Sequence, residues 1–219
     1  MDLGGFAFRD PGTTRPEETH SPVARTLSQM PQGPTLETER LHLRRWREQD
    51  IDAFAALNAD PEVMEHFPDV LSPEESGPLL RRIDRQFEEF GFGLWAVDIK
   101  WAKRFIGFCG LAVPTFETHF TPAVEIGWRF AKSQWGSGYA TEAARAVLDF
   151  GFEKTDLEQI LSWTIPANQR SQRVMQRLGM RRAPELDFDH PRFLHDDRLR
   201  RHVVYRIGRD EWSQGRGSL

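Results

Sequence analysis

The sequence predicts an α/β fold of the α+β kind: a mixed, mostly antiparallel twisted sheet flanked by helices on both faces. Three observations predict it. Apolar patterns of period 2 and period 3.6 follow one another in the order β-α-α-β-β-β-α-β-α-β. Three strand patterns between Leu94 and Phe130 stand close together, as in a meander. A glycine loop, Trp135-Gly136-Ser137-Gly138-Tyr139-Ala140, joins a strand to a helix.

Taken in order, Leu41 and Leu43 alternate with polar neighbours and make the first strand. Asp50 is placed to cap a short helix through Ile51, Phe54, Ala55 and Leu57. Ser72-Pro73-Glu74-Glu75 is a capping box with proline at the first helical position. Leu79, Leu80, Ile83 and Phe87 form the apolar face of that second helix, and Gly91 ends it. Leu94 to Ile99 and Arg104 to Leu111 read as a hairpin, and Val124 to Phe130 as the next strand. After the glycine loop, Ala140, Ala144, Val147, Leu148 and Gly151 share one side of a helix. Gln159 to Ile165 is a strand, and Asn168 to Leu178 a helix stopped by Gly179. A loop from Arg181 to Leu199 precedes a last strand, Arg201 to Ile207. Trp95, Trp101 and Trp163 are expected in core or hairpin packing rather than as stacking platforms.

The chain of 219 residues has room for one domain with a substantial core. Residues 1–34 are rich in Pro, Gly, Thr and Ser without a period, so a flexible tail is expected there. The folded domain is then 35–213, with a short C-terminal tail over 214–219. Met30 stands just before the folded part, which leaves a start at Met30 open. No apolar run reaches membrane-spanning length, and Met1 to Asp10 lacks the features of a secretory leader. The single cysteine, Cys109, excludes an intrachain disulfide and a cysteine-based zinc site, so a reducing cytoplasm is the expected compartment. A net charge of −4 gives no global pull toward nucleic acid or anionic lipid.

The glycine loop carries the chemistry. Glycine lets a ligand approach the backbone, and a helix start offers unpaired N–H groups with partial positive charge. The loop therefore reads as an anion cradle suited to phosphate. A Walker A loop needs Gly-Lys-Ser/Thr, but Tyr139 follows Gly138. A dinucleotide fingerprint needs a small third residue where Thr141 stands, and it follows a first strand, not a late one. On its two glycines alone, a tight turn without a ligand remains open.

The chain resembles the GCN5-related N-acetyltransferase (GNAT) superfamily, and within it the RimJ/RimL-type branch. The residues that carry the resemblance span Thr38 to Trp212. They are Thr38-Glu39-Arg40-Leu41-His42-Leu43-Arg44, Asp60-Pro61-Glu62-Val63 and Val124-Glu125-Ile126-Gly127-Trp128. Trp135 to Ala143, Asn168-Gln169-Arg170-Ser171, Leu178-Gly179-Met180 and His202-Val203-Val204-Tyr205 complete the set. Each piece is weak alone; together, in this order and spacing, they are specific. The resemblance implies acetyl-CoA as cosubstrate, with its pyrophosphate on the loop formed by Trp135, Gly136, Ser137, Gly138, Tyr139, Ala140 and Thr141. It implies that the edge of Trp128, Arg129 and Phe130 bonds the pantetheine arm as an added strand does, with Asn168 touching the arm from the next segment.

The implied reaction is attack of a neutral amine on the thioester, held in line by the protein. Backbone N–H groups at a kink in Trp128 to Phe130 could polarise the thioester carbonyl. An α-amine has a pKa of roughly 8 and a lysine amine roughly 10.4, so an α-amine needs little help from a base. Glu125 is the candidate base, acting through water; a carboxylate paired to an arginine or simply solvated fits the same position. The tyrosine acid common in the superfamily is replaced by Met175, counting from Asn168. Ser171, one turn earlier, is the candidate partner for the sulfur; helix capping is an equal reading of it. Cys109 reads as a buried strand residue rather than a nucleophile. Asp187-Phe188-Asp189-His190-Pro191 reads as a substrate-side loop rather than a metal site, and Arg198, Arg200 and Arg201 as a solvated face.

The expected function is direct acetyl transfer to a primary amine, with the α-amine of a protein N-terminus as one acceptor class. A small-molecule amine (polyamine, amino acid or aminoglycoside) is the alternative acceptor, and a non-catalytic acyl-CoA sensor the alternative function. No metal, nucleic-acid or membrane partner is expected, and a homodimer is left open. Removing residues 1–29 should leave the thermal midpoint nearly unaltered in a calorimetric scan; a large drop would show that the segment is docked on the domain.

Overall fold

The computed structural model describes residues 34–195 and 197–216. The expected N-terminal tail lies outside these residues except for Pro34, whose carbonyl accepts a hydrogen bond from the Trp95 indole. The strands are β1 (Leu36–Glu37), β2 (Leu41–Arg44), β3 (Leu94–Ile99), β4 (Arg104–Ala112), β5 (Glu125–Phe130), β6 (Gln159–Thr164), β7 (Arg181–Arg182), β8 (Phe188–Asp189) and β9 (Arg201–Gly208). The helices are α1 (Ile51–Ala59), α2 (Pro73–Phe90), α3 (Tyr139–Lys154), α4 (Gln169–Arg177) and α5 (Arg209–Arg216). Among the described residues one sheet runs β1-β2-β3-β4-β5-β6-β9-β7, with β8 also on β9. Every pairing is antiparallel except β5 with β6.

Alternation along the strands divides the core into two faces. Trp95 and Cys109 are register partners, and Trp95 meets Phe150 of α3 edge-to-face at 5.2 Å between ring centroids. Gly151 brings α3 so close to the sheet that a Cβ there would stand 2.8 Å from Ile160. On the opposite face Phe108 and Arg129 are partners: Phe108 packs against Phe54 of α1, and Arg129 donates to Asn58 of the same helix. Helices thus cover both faces, as the sequence predicts.

The local signals hold where they are local. Ser72 and Glu75 bond each other's backbone at the start of α2, and Gly91 ends that helix with φ 73°. Asp50 does not cap α1 with its side chain. Its carboxylate is taken by Arg44, which bridges Asp50 at 2.7 Å and Asp98 at 2.6 Å. A buried guanidinium that forks onto two carboxylates outcompetes a cap. Trp101 is exposed at the tip of the β3–β4 hairpin rather than packed, while Trp95 and Trp163 are buried. The expected loop over 181–199 contains β7 and β8, strands too short for a periodic signal. Helix α5 runs to Arg216, past the expected start of the C-terminal tail at 214.

The Arg44, Asp50 and Asp98 side chains are all buried. Arg44→Ala would leave two buried carboxylates facing each other, and breaking such a pair costs about 3–5 kcal/mol. Urea unfolding should show a loss of that order, and Arg44→Lys should recover only part of it, since one ammonium cannot match two forks. A loss under about 1 kcal/mol, as for an exposed ion pair, would contradict the reading.

Candidate active site

Strands β5 and β6 share one ladder pair. Glu125 stands opposite Leu161, and the Leu161 N–H donates to the Val124 carbonyl at 2.9 Å. Beyond that point β5 keeps its pairing with β4, while β6 is paired with β9 along its whole length. The two strands part, and the gap between them opens into a cleft of about 380 Å³.

The open edge of β5 faces this cleft. In an antiparallel strand, the N–H and C=O of alternate residues point to the same side. The Ile126 carbonyl accepts from Ser162 Oγ at 3.0 Å, and the Phe130 carbonyl from the Trp135 indole at 2.8 Å. Both bonds lie on the side away from β4. Trp128, midway between them, therefore turns its N–H and C=O the same way. Trp128, Arg129 and Phe130 all line the cleft.

The glycine loop closes one end. Gly136 and Gly138 have φ of 79° and 81°, left-handed values that favour glycine, and a Cβ on Gly136 would meet nothing within 4 Å. Gly138 is the N-cap of α3, so the first N–H groups of that helix lack intrahelical partners. Trp135, Gly136, Gly138, Tyr139, Ala140 and Thr141 line the cleft; Ser137 does not. Instead its carbonyl accepts from Arg40 at 3.0 Å. Arg40 also pairs with Glu142 at 2.6 Å, and its guanidinium lies 4.6 Å from the Tyr139 ring centroid. Thr38 and the Arg40 N–H complete the grip on Glu142. The segment before β2 thus fixes the loop and the first turn of α3.

Helix α4 forms the far wall. Asn168 caps it, accepting from the Ser171 N–H at 3.1 Å while donating to Thr164 Oγ1 at 3.0 Å. Asn168 and Ser171 line the cleft, as do Arg170, Arg173 and Arg177. Three arginines on one helix wall make this side suited to phosphate. Met175 is fully buried and belongs to the core, so α4 offers no hydroxyl at that position. Glu125 is also buried, at the point where β5 meets β6, and is not part of the lining.

The roof comes from the segment between α1 and α2, through Glu62, Val63, Glu65, His66 and Phe67. Glu62 pairs with Lys132, and Glu65 lies 3.8 Å from Arg170, whose guanidinium stacks 4.8 Å from the Trp135 centroid. Sequence reasoning assigned no role to this roof or to the α4 arginines. The arginines carried a signal in their helical spacing; of the roof only Glu62 and Val63 stood in a motif of the resemblance, and its approach to the cleft is tertiary. Asp187 and Asp189 are engaged by arginines: Asp187 by Arg182 and Arg201, Asp189 by Arg200 and Arg201. The expected solvated run of arginines is therefore partly paired. Cys109 is buried, and burial pushes its thiol far up.

Residues 40–181 match the family model for the acetyltransferase (GNAT) domain. The chain is 33% identical over 146 residues to the uncharacterised protein YkkB of Bacillus subtilis, covering 66% of this chain and 84% of that one. It is 31% identical over 148 residues to the uncharacterised N-acetyltransferase YnaD of Bacillus subtilis, covering 66% and 81%. The crystal structure of a GNAT-family acetyltransferase from Bacillus anthracis superposes with a TM-score of 0.67 at 26% identity, covering 81% of this chain and all 100% of that one. The chain belongs to the GNAT acetyltransferase family and is an acyltransferase.

Burial pushes the Glu142 carboxyl up, but the hydrogen bonds from Thr38 and Arg40 outweigh it and hold the group below the usual carboxylate range. A depressed folded pKa stabilises the fold above the unfolded value of about 4.3 and stops doing so as pH falls through the folded one. Glu142→Gln should therefore be less stable than the parent at pH 7, with the gap closing in acid. Urea midpoints measured along a pH series check this, and a gap that stays constant into acid would contradict it.

Proposed function

We propose that this enzyme moves an acetyl group from acetyl-CoA to a primary amine by direct transfer in a ternary complex. The α-amine of a protein or peptide N-terminus is the first acceptor class. One observation carries the reading: the anion-ready loop and the open β5 edge border the same cleft. In this reading residues 35–213 are the catalytic domain, and the cytoplasm is its compartment.

The residues present fit acetyl-CoA. The N–H groups around Gly136, Gly138, Tyr139, Ala140 and Thr141 would hold the pyrophosphate at the start of α3, with Arg177 and Arg173 adding charge. Arg40 keeps Ser137 and the loop in that shape from outside. The Trp128 N–H and C=O would bond the pantetheine amides as a neighbouring strand does, with the Phe130 N–H next along the edge, while Arg129, expected as part of that edge, turns its peptide groups toward β4. Trp135 is held by its bond to Phe130 and packs the loop against that edge.

On the chemical step, the cleft holds thioester and amine in line, which supplies much of the acceleration. Backbone N–H at the β5 edge would polarise the carbonyl. Ser171 would donate to the departing sulfur, a modest task because a thiol has a pKa near 8.5. Asn168, with its side chain committed to the α4 cap, would act by orienting Ser171. Glu125, outside the lining, would reach the amine only through water. The α-amine is favoured as acceptor because a larger share of it is neutral near pH 7 than of a lysine amine.

Thiol release from acetyl-CoA, followed against N-terminal peptides and against small amines, tests the reading. Release with peptides is expected. Release with small amines alone would move the acceptor to that class, and release with neither, despite binding, would favour a non-catalytic sensor. Two variants sharpen the outcome. Gly138→Asp sets a carboxylate against the phosphate and should abolish calorimetric binding of acetyl-CoA without unfolding the domain. Unchanged affinity would remove the loop from the site. Ser171→Ala should slow turnover more than it weakens binding, and equal rates would leave Ser171 as a structural residue.

A further inference from the structure

The catalytic reading leaves one proton without a direct acceptor. The attacking amine must lose a proton as its bond to the carbonyl forms, and Glu125 does not line the cleft. His66 does, on the roof of the same cleft that Trp128, Phe130 and Ser171 line. Its side chain is 18% exposed, open to a ligand but mostly sheltered from water.

We propose that His66 takes the proton from the attacking amine nitrogen. The inference rests on the acetyl-transfer reading above and names the group that completes it. The steps balance as follows. The amine nitrogen bonds to the thioester carbonyl carbon, and His66 accepts the proton from that nitrogen. The carbon–sulfur bond breaks with its electron pair on sulfur, and the thiolate takes a proton from solvent. The His66 imidazolium returns its own proton to solvent.

Among the described residues, three charged groups bear on the His66 ring: Glu65 beside it at 3.7 Å, Arg170 on α4, and Arg198 on the segment before β9. Burial lowers its pKa, Glu65 opposes that, and Arg198 and Arg170 add to it, so the net direction is down. That direction favours the neutral ring, the form that accepts a proton. Glu65 is itself held by Arg170 across the cleft, and its carbonyl accepts from Arg198 at 2.8 Å. The backbone beside His66 is thus tied to the segment before β9, and the Glu65 side chain to α4.

Bromoacetyl-CoA tests this without an acceptor. It places an electrophilic carbon where the acetyl methyl sits. An imidazole nitrogen within reach forms a bond to that carbon, bromide leaves, and the ring sheds a proton. Peptide mass mapping of the labelled full-length chain should find the adduct on the peptide bearing His66. Excess acetyl-CoA should prevent it, and His66→Gln should lose it while still binding acetyl-CoA by calorimetry. An adduct on the peptide bearing Glu125, or none on a protein that binds acetyl-CoA, would overturn the assignment. Failure of acetyl-CoA to bind at all would instead overturn the transferase reading beneath it. Mapping of the unsubstituted protein decides the point even if the variant does not fold.

Discussion

The parting of β5 from β6 is the constraint on which the site depends. β5 is committed to β4 over six residue pairs, and β6 to β9 over six. The two strands pair only where Glu125 faces Leu161, with the Ser162 hydroxyl reaching the Ile126 carbonyl just beyond. Past that point the edge of β5 has peptide groups to offer, and a ligand with amides can take the place of the missing strand. The helices that follow the two strands, α3 and α4, both begin at the open end. Their N-termini therefore border the gap, where unpaired N–H groups and partial positive charge favour an anion. A phosphate-bearing, amide-rich molecule suits both features at once.

What surrounds the gap holds it in shape. Arg44 ties β2 to β3 and to the start of α1 through two buried carboxylates. Arg40 and Thr38 grip Glu142 and, through the Ser137 carbonyl, the glycine loop. Arg129, buried against Phe67 and bonded to Asn58, ties the floor of the cleft to α1 and to the roof segment. The cleft is thus lined by polar groups whose supports lie in the core, the arrangement that lets a site keep its geometry. The roof is anchored by Val63, Met64 and Phe67 in the core, and its outer side by the half-exposed pairs Glu62–Lys132 and Glu65–Arg170. Exposed pairs of this kind contribute little, so the buried side chains hold the roof in place.

Much of this was legible in the sequence because it is local. The Ser72 capping box, the Gly91 stop and the two glycines before α3 are written within a few residues, and each appears in the structure as read. Amphipathic periods placed the main strands and helices for the same reason. What could not be read is what depends on distant partners. Asp50 looks like a cap until Arg44 and Asp98 are brought to it. Arg40 and Glu142 lie 102 residues apart, and neither signals the other. The roof segment has no period of its own, so His66 was indistinguishable from any loop histidine. β7 and β8 are two residues each and exist only because β9 offers them an edge. Met175 was identified by its spacing from Asn168, and the structure adds that it is core.

The central claim is that the cleft between the parted strands receives acetyl-CoA. Calorimetric titration of the full chain with acetyl-CoA tests it most directly. The account predicts saturable binding with one molecule per chain. It also predicts weaker binding as salt rises, because phosphate meets arginines and helix N–H groups at the mouth. Absence of binding would contradict it: the glycine loop would then be only a turn between β5 and α3, and the open edge of β5 would await a different ligand.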